Sequence, residues 1–466
     1  MIVNEVSWLE TTVSLLETLD NILWGYAVLP ILLVVGCYLT VKSRFMQIRK
    51  FPRILKSFYY ALTTKHTGTG VHPLKAFFAC IGGCMGIGNV VAVCTAAQIG
   101  GPGALFWVWL TAIFGMIFKY SEVYLGIRYR VSHGKGGYRG GPMYFLQKAY
   151  KKSWVPKLAC LLLCIYGVEV YQFSVVTESI ATNLEVNKYG IALILITLII
   201  AVSRRGVNSV GRIAIFFIPL FITCYLAMGA WVFFQNIDLI PSLLKTVMDS
   251  AFTGHAAVGA FAGSTILIAA SQGMRRSCYA GDVGIGYASV IHSETRELSP
   301  EKQASLAIIE VFIDSFVICT TSVMLVLVTG VWNDDIEASM LVQNALANYF
   351  PGMHFFMPLF LLVLGFTTII SYFCAGIKCA EYLSPRFGRK AYYIYAVCCC
   401  LVFVCFQTSQ ALTMMSITAA FLLLLNLYGI CKLSNEIGFN IPKYKSPVLK
   451  PETIPKSIVE HALEQI

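Results

Sequence analysis

The stretch 74–98 is apolar and long enough to cross a bilayer, but the glycine-rich run 82–89, GGCMGIGN, interrupts it. Glycine is among the residues least able to hold a helix together. In hydrocarbon an unpaired backbone N–H or C=O is costly, so irregular backbone is tolerated at that depth only where it lines a polar cavity or meets a solute. A helix that breaks inside the membrane therefore indicates a ligand site and favours transport.

The composition is typical of an integral membrane protein. The chain has 466 residues, of which 57% are hydrophobic and 13% charged, whereas soluble domains are about 25% charged. A helical span needs about 20 predominantly apolar residues, and this criterion predicts an all-α integral membrane protein with about eleven spans. Their predicted cores are 22–41, 74–98, 103–127, 155–183, 189–203, 211–236, 256–291, 303–330, 355–383, 391–407 and 410–431.

Lysine and arginine concentrate in alternate connectors, above all in 42–73 and 128–157. Because short loops rich in these residues stay in the cytoplasm, we expect a cell-membrane protein with its N-terminus outside and its C-terminus inside. The net charge of +11 reflects this rule, and no nucleic-acid partner is needed to explain it. The 16 cysteines lie mostly in apolar spans without a C-x-x-C pair, which predicts small packing residues rather than a transition-metal site or disulfides.

A second glycine-rich stretch, GHAAVGAFAG at 254–263, belongs to the fifth span after the first interrupted one. Paired interrupted helices at matching places in two halves indicate an inverted-repeat transporter with its site at mid-membrane. Five spans per repeat would invert the second half, which agrees with the orientation predicted from charge. The predicted divisions are the outer segment 1–21, an extra helix 22–41, a basic cytoplasmic connector 42–73, a first repeat 74–236, an outer loop 237–255, a second repeat 256–431 and a cytoplasmic tail 432–466.

Several segments share their order with the segments of a known family. They are GCMGIGNVVAVCTAAQIGGPGALFW at 83–107, GGPMYFL at 140–146, SAFTGHAAVGAFAG at 250–263, EVFIDSFVICT at 310–320, VTGVW at 328–332 and FTTII at 366–370. Together they resemble the alanine/glycine:cation symporter (sodium:alanine symporter) family of the amino acid-polyamine-organocation superfamily. The resemblance implies a LeuT-type fold, five plus five helices after one extra helix, that carries alanine, glycine or a similar small neutral amino acid inward with sodium by alternating access.

A buried zwitterion needs donors for its carboxylate and acceptors for its ammonium, and two broken core helices, the first and the sixth, would supply both from the main chain. Core helices three and eight add side chains by their position in the resemblance. The candidate substrate-binding residues are Gly86, Ile87, Gly88, Asn89, Gln172, Gly259, Phe261, Gly263, Thr368, Ile369 and Tyr372. The alternative is that these glycines form a small-residue packing face between helices.

Sodium is a hard cation that prefers oxygen ligands. By analogy with the wider fold, the candidate sodium ligands are the carbonyls of Gly82 and Met85 with the hydroxyls of Thr367, Thr368 and Ser371. The alternative for the hydroxyls is a hydrogen bond to the preceding turn of their own helix. Sodium is expected as the coupling ion, and no cofactor is expected.

The sequence departs from the family pattern at several positions. Ile87 replaces a threonine, Tyr372 replaces a tryptophan, and the stretch 279–293 lacks the asparagine and proline of the family pattern. Glu169, three residues before Gln172, stands where the family has small or amide residues. It is interpreted either as a residue that tunes specificity toward polar or cationic amino acids or carries a proton, or as a carboxylate bonded to a neighbouring helix.

Two further carboxylates, Glu310 and Asp314, share a helix face, and pairing with Arg275, Arg276 or Lys378 is at least as good an interpretation as transport of charge. No nucleophile, metal cluster or acid/base pair predicts an enzyme. A proton-coupled carrier of the same fold, a channel or a transporter-like receptor remain as alternatives, and the preferred amino acid and the coupling cation stay open.

Overall fold

The computed structural model describes residues 2–63, 70–133, 137–204, 206–253, 266–334 and 336–441. Over these residues the chain is helical except for one short hairpin and the connectors. The α-helices are α1 Ile2–Ile22, α2 Leu29–Lys42, α3 Met46–Arg49, α4 Phe51–Thr63, α5 Pro73–Cys84, α6 Val93–Gly100, α7 Ala104–Arg128, α8 Pro142–Tyr150, α9 Trp154–Tyr166, α10 Val170–Leu184, α11 Lys188–Ser203, α12 Val207–Gln235, α13 Ile240–Thr253, α14 Ile266–Gly281, α15 Tyr287–His292, α16 Pro300–Val311, α17 Thr320–Thr329, α18 Leu341–Ala347, α19 Met353–Leu383, α20 Gly388–Phe403 and α21 Thr408–Lys432.

Three π-helical segments join α-helices within longer spans. They are Leu23–Val28, Gly88–Ala92 and Phe312–Cys319, and shorter 3₁₀ turns cover Ile237–Leu239, Val331–Asn333, Ala338–Met340 and Ser434–Glu436. The hairpin pairs β1 Val131–His133 with β2 Gly137–Arg139 in antiparallel register. Because π-helical turns are rare and concentrate at functional sites, the segments at 88–92 and 312–319 mark the region of interest.

Seven described helical spans are long and apolar enough to cross a membrane, and the bent pair Pro73–Cys84 and Gly88–Gly100 makes an eighth. The chain is thus a multi-pass membrane protein by length and composition. The eleven predicted spans include three more: α11 and α20 have only 16 residues each, near the lower limit for crossing, and 256–291 lies partly outside the described residues. The count of eleven and the five-plus-five repeat therefore stay predictions.

The N-terminal segment differs from the expectation of an outer segment followed by a helix from residue 22. α1 runs on through the π-helical turn Leu23–Val28 into α2, so the two form one long span. The indole Nε1 of Trp24 donates to the carbonyl of Ser416 at 3.2 Å, and the Asp20 carboxylate accepts from the Ser416 hydroxyl at 2.7 Å. These polar contacts fix the extra span against α21.

Helix α7 lies at the centre of the bundle, and every residue in 114–127 is buried. Its first turns pack on α14, where a Cβ added to Gly273 would lie 2.8 Å from the Cβ of Trp107. Beyond its last turn, the Arg130 guanidinium donates to the Ser293 carbonyl at 3.1 Å. At about 1.5 Å per residue, the 25 residues of α7 separate these two places by the thickness of a bilayer. Gly273 and Ser293 therefore mark opposite ends of the bundle.

Candidate functional site

The predicted break in the first interrupted helix is present in the structure. α5 ends at Cys84, and the chain bends by 46° before α6. The N–H of Gly86 donates to Asn89 Oδ1 at 3.0 Å, and the N–H of Ile87 donates to Gln172 Oε1 at 2.8 Å. Side chains therefore satisfy the backbone groups that the break releases, as a buried interruption requires.

Gly86 is the point of closest approach between this break and two other helices. A Cβ at Gly86 would lie 2.5 Å from Thr368 Oγ1 and 3.0 Å from the amide atoms of Gln172. Thr368 is on α19 and Gln172 on α10, so three residues predicted from separate segments meet around one backbone position. A glycine is needed here because the neighbouring side chains occupy the space that any other residue would fill.

Asn89 connects the break to the π-helical segment Phe312–Cys319. Its amide nitrogen donates to the Asp314 carboxylate, while its oxygen accepts from Gly86 N. Asp314 also accepts from the Ser315 hydroxyl at 2.9 Å. Both partners lie in π-helical turns, where the altered hydrogen-bonding ladder frees the side chains to meet. Asp314 thus does not pair with Arg275, Arg276 or Lys378, which was one interpretation of the sequence.

A second interruption separates α14 from α15. Asp282, Gly284 and Gly286 have φ of +51°, +70° and +108°, so the chain leaves the helical conformation between Gly281 and Tyr287. The Glu122 carboxylate accepts from the N–H groups of Gly286 and Ser289 at 3.2 and 3.0 Å, as a carboxylate at a helix N-terminus does.

The break expected at 254–263, with Gly259, Phe261 and Gly263, lies outside the described residues. The described interruption is about twenty residues further along the chain, within the predicted span 256–291. The sequence signal for this interruption is the glycine-rich GDVGIG at 281–286. From sequence alone, this stretch is interpreted only as part of a departure from the family pattern at 279–293.

Tyr279 on α14 joins the two interruptions and is absent from the predicted site. Its ring lies against Gly88, where an added Cβ would be 3.2 Å from Cε1. Its hydroxyl accepts from Gln172 Nε2 at 3.4 Å and donates to Glu169 Oε2 at 3.0 Å. Glu169 has φ of +54° and is 1% exposed. A hydrogen-bonded chain therefore runs from the backbone of Ile87 through Gln172 and Tyr279 to Glu169.

Tyr372 lies at the second interruption rather than beside Gly86. Its hydroxyl donates to Asp282 Oδ1 at 3.0 Å, and its ring stacks on Tyr287 with centroids 3.9 Å apart. Asp282 Oδ2 in turn accepts from the N–H of Ala288 at 3.1 Å. Ile369, also predicted, is fully buried in the same helix.

The hydroxyls among the candidate sodium ligands differ in their hydrogen bonds: one bonds to another helix and two bond within their own helix. Thr368 Oγ1 donates to the Gly82 carbonyl at 3.2 Å, across the α5–α19 contact. Thr367 and Ser371 instead donate to carbonyls of their own helix, at 2.9 Å to Leu364 and 2.7 Å to Thr367. The Ser371 oxygen still lies 3.9 Å from the position of a Cβ on Gly82.

Met85 is the remaining candidate sodium ligand. It lines, with Gly86 and Asn89, a small cavity between the first break, α12, the π-helical segment Phe312–Cys319 and α19. The structure therefore brings Gly82, Thr368 and Ser371 together and places Met85 at the break itself. Hydroxyl and carbonyl oxygens are the ligands that a hard cation prefers.

Lys119, in the middle of the predicted span 103–127, is the main residue that the sequence analysis missed. Its ammonium donates to the Gly281 carbonyl at 3.1 Å and to Cys84 Sγ at 2.8 Å, and it lies 3.3 Å from Glu310 Oε2. Cys84 ends α5 and Gly281 ends α14, so one cation lies at the negative ends of both interrupted helices. A lysine inside an apolar span is rare enough to have signalled this role.

Glu310 links this cation to His292 on α15. Glu310 Oε1 lies 2.8 Å from His292 Nε2, and Gln303 lies 2.8 Å from the other ring nitrogen. Glu310 therefore does not use Arg275, Arg276 or Lys378 as its partner. Cys80, His292 and Glu310 are close enough to hold a metal ion, but Lys119 and His292 already occupy the Glu310 oxygens. The arrangement fits an ion-pair cluster better than a metal site.

Two larger cavities lie toward opposite ends of the bundle, and neither is lined by Gly86, Gln172 or Thr368. A cavity of about 590 Å³, which we call the Arg276 vestibule, is lined by Arg276, Thr95, Tyr171, Glu17 and Glu337 among others. A cavity of about 400 Å³, which we call the Lys378 cavity, is lined by Lys378, Glu294, Arg139, Glu381 and Ser203 among others. The first lies at the Gly273 end of α7, and the second lies at the Ser293 end.

Comparisons with known proteins agree with the motifs. The chain is 32% identical over 383 residues to "Uncharacterized transporter YflA" of Bacillus subtilis, covering 81% of each protein. It is 28% identical over 393 residues to "Sodium/alanine symporter AgcS" of Methanococcus maripaludis, covering 82% of this chain and 86% of the relative. Among solved structures, it is similar to a mutant manganese transporter of Eremococcus coleocola, with a TM-score of 0.48 and 13% identity over 76% of each chain.

The match to a family model is more extensive. The model described as "Sodium:alanine symporter family" covers residues 9–455, which is nearly the whole chain. The family expected from the motifs at 83–107 and the later segments is confirmed. The chain belongs to the sodium:alanine symporter family.

Proposed function

We propose that this protein carries a small neutral amino acid of the alanine or glycine class into the cell together with sodium. The observation that supports this most is the meeting of Gly86, Gln172 and Thr368 at the first break. Backbone and amide groups there offer both donors and acceptors to a zwitterion, without a net charge that would favour an acidic or basic substrate. The cavity that Gly86 lines is small, which favours a substrate with a small side chain.

Sodium coupling is supported by the oxygen-rich group beside the break. The Gly82 carbonyl and the Thr368 hydroxyl are 3.2 Å apart, and Thr368 also lies against Gly86. An ion held by these oxygens would fix the position of Thr368 and hence one wall of the substrate site. Binding of sodium and of substrate would then support each other through a shared residue.

Alternating access is supported by the cavities at the two ends. The Lys378 cavity is crossed by polar contacts: an ion pair between Lys378 and Glu294, and backbone hydrogen bonds of 2.8 Å from Val71 N to Glu294 O and from Arg296 N to Val71 O. In the topology predicted from charge, this end is cytoplasmic. Opening the inner path would require these contacts to break, while the Arg276 vestibule faces the outside.

Uptake into proteoliposomes tests the proposal. We expect labelled alanine to accumulate above its outside concentration when an inward sodium gradient is imposed, and to equilibrate only when potassium replaces sodium. Competition by a panel of amino acids should be strongest for alanine and glycine, because the site at Gly86 is closely packed. Flux without accumulation would support a channel instead, and binding without flux would support a receptor.

A second candidate, a proton-coupled carrier or one that takes polar or cationic amino acids, is supported by Glu169. This carboxylate is 1% exposed, and among the described residues it has one side-chain hydrogen-bond partner, the Tyr279 hydroxyl. A buried carboxylate with so few partners is costly when charged, so it is suited to gaining or losing a proton or to pairing with a cationic substrate. Tyr279 would connect either event to Gln172.

Replacing Glu169 by Gln tests this candidate. If Glu169 carries the coupling proton, we expect the variant to lose accumulation driven by an inward proton gradient and to lose the dependence of uptake on outside pH. Tyr279→Phe is the matched comparison, because it keeps the ring against Gly88 but cuts the link between Glu169 and Gln172. A Glu169→Gln protein with the wild-type pH profile and the wild-type substrate profile would eliminate the second candidate.

A further inference from the structure

Two adjacent arginines on α14 have different surroundings. Arg275 forms an ion pair with Asp20 and lies 3.4 Å from Asn21 Oδ1, so its charge is matched. Arg276 is 7% exposed, and its Nε donates to Thr95 Oγ1 at 2.9 Å. Within the described part of the chain, its two terminal amino groups have no acceptor. Arg276 lines the vestibule named after it, so this half of the guanidinium is left for a ligand.

The position of Arg276 relates it to the break at Gly86. It precedes Tyr279 by one helical turn, and the ring of Tyr279 lies against Gly88. Tyr171, which also lines the vestibule, packs edge-on against Tyr279 with centroids 5.8 Å apart. The ring of Tyr171 thus lies between the vestibule and Tyr279, whose hydroxyl accepts a hydrogen bond from Gln172. A molecule bound at Arg276 would be one layer of side chains away from the break.

The charges of the vestibule suit a zwitterion. A guanidinium with two free amino groups binds a carboxylate through two parallel hydrogen bonds. Glu17 and Glu337 line the same cavity and carry negative charge, which would attract an ammonium group. The volume of about 590 Å³ is in the range of small-molecule sites, which is roughly 300–1,000 Å³, and would hold an amino acid with water.

We propose that the Arg276 vestibule is a second amino-acid site, in which the α-carboxylate forms a bidentate pair with Arg276 before the substrate passes Tyr171 and Tyr279 to the break at Gly86. The proposal rests on the proposed function, because it assumes an amino-acid substrate. It explains why one of two neighbouring arginines is paired with a carboxylate of this chain and the other is not. It also assigns a role to Glu17 of α1, which lines the same vestibule.

The test is the concentration dependence of sodium-driven alanine uptake in proteoliposomes. We expect Arg276→Gln to raise the KM for alanine by about tenfold to a hundredfold, the range for a charge-assisted hydrogen bond, with the maximal rate retained. Arg276→Lys keeps the positive charge but loses the two parallel donors of the guanidinium, so its KM should lie between those of the wild type and Arg276→Gln. Thr197→Val in α11 is the matched control, since it removes a hydroxyl that donates to a carbonyl of its own helix, that of Leu193 at 2.8 Å, but Thr197 is not among the residues that line the vestibule, and the KM of this variant should equal that of the wild type.

The experiment distinguishes failure of the proposed transport function from failure of the proposed second site. If wild-type protein takes up no amino acid, the proposed function is wrong. If wild-type protein transports alanine and Arg276→Gln keeps the wild-type KM, or loses rate at an unchanged KM, the second site is overturned and the function stands. Should Arg276→Gln not purify as a monodisperse protein, the KM of Arg276→Lys decides, and a wild-type value overturns the site.

Discussion

Replacing Lys119 by methionine is expected to destabilise the protein by about 3–5 kcal/mol, the usual cost of breaking a buried ion pair, and to abolish alanine uptake. Methionine fills a similar volume but leaves Glu310 without its ammonium partner. It also removes the cation from the carbonyl ends of α5 and α14, since the Gly281 carbonyl loses its donor. Thermal unfolding in detergent and uptake in proteoliposomes measure the two effects.

A double-mutant cycle separates the ion pair from general damage to packing. Glu310→Gln should also destabilise the protein, and the Lys119→Met, Glu310→Gln double variant should lose about 0.5–3 kcal/mol less than the sum of the singles. Arg128→Met is the control on the same helix: its side chain is 44% exposed and lies 3.3 Å from Glu436, so we expect a loss of about 1 kcal/mol or less. Additive single effects would contradict the pairing, and wild-type uptake by Lys119→Met would contradict the role of the cation at the break.

The first break could be predicted from sequence because its cause is local. The run 82–89 has too many glycines for a continuous helix, and its apolar flanks place it at membrane depth. Gln172 and Thr368 could be placed beside it only through the resemblance, since no local rule brings α10 and α19 to α5. The structure shows these residues in contact, and it adds the reason for Gly86, which is the space taken by Thr368 and Gln172.

The missed residues depend on tertiary contacts that leave little trace in the sequence. Tyr279 looks like an ordinary aromatic residue of an apolar span, and its place between Gln172 and Glu169 follows only from how α10 and α14 pack. Hydroxyls such as those of Thr367 and Ser371 can take either of two roles, donating to a carbonyl of their own helix, as they do here, or binding a cation. Their choice depends on distances that composition does not set. The charge of Lys119 inside an apolar span is evident in the sequence. Its partners are not, because they lie on three other elements.

Replacing Gly86 by alanine is expected to lower alanine uptake by about a hundredfold, because a displacement of about 1 Å in a positioned site has that scale of effect. The added Cβ would lie 2.5 Å from Thr368 Oγ1 and 3.0 Å from the Gln172 amide. Thr368 would have to turn away from the Gly82 carbonyl, and Gln172 would lose its contact with the Ile87 N–H. Both changes fall on the substrate and sodium groups at once, so we expect the apparent affinity for sodium to fall with that for alanine.

The matched control is Gly190→Ala in α11, where an added Cβ meets nothing within 4 Å. Because alanine favours a helix by about 1 kcal/mol over glycine, this variant should transport normally and unfold at the same or a slightly higher temperature. Gly86→Ala should also remain folded, since the atoms that must move are the ends of two side chains rather than backbone. Uptake and sodium dependence of a monodisperse Gly86→Ala protein that match those of Gly190→Ala would show that this break is a packing face between helices, the alternative that the sequence left open.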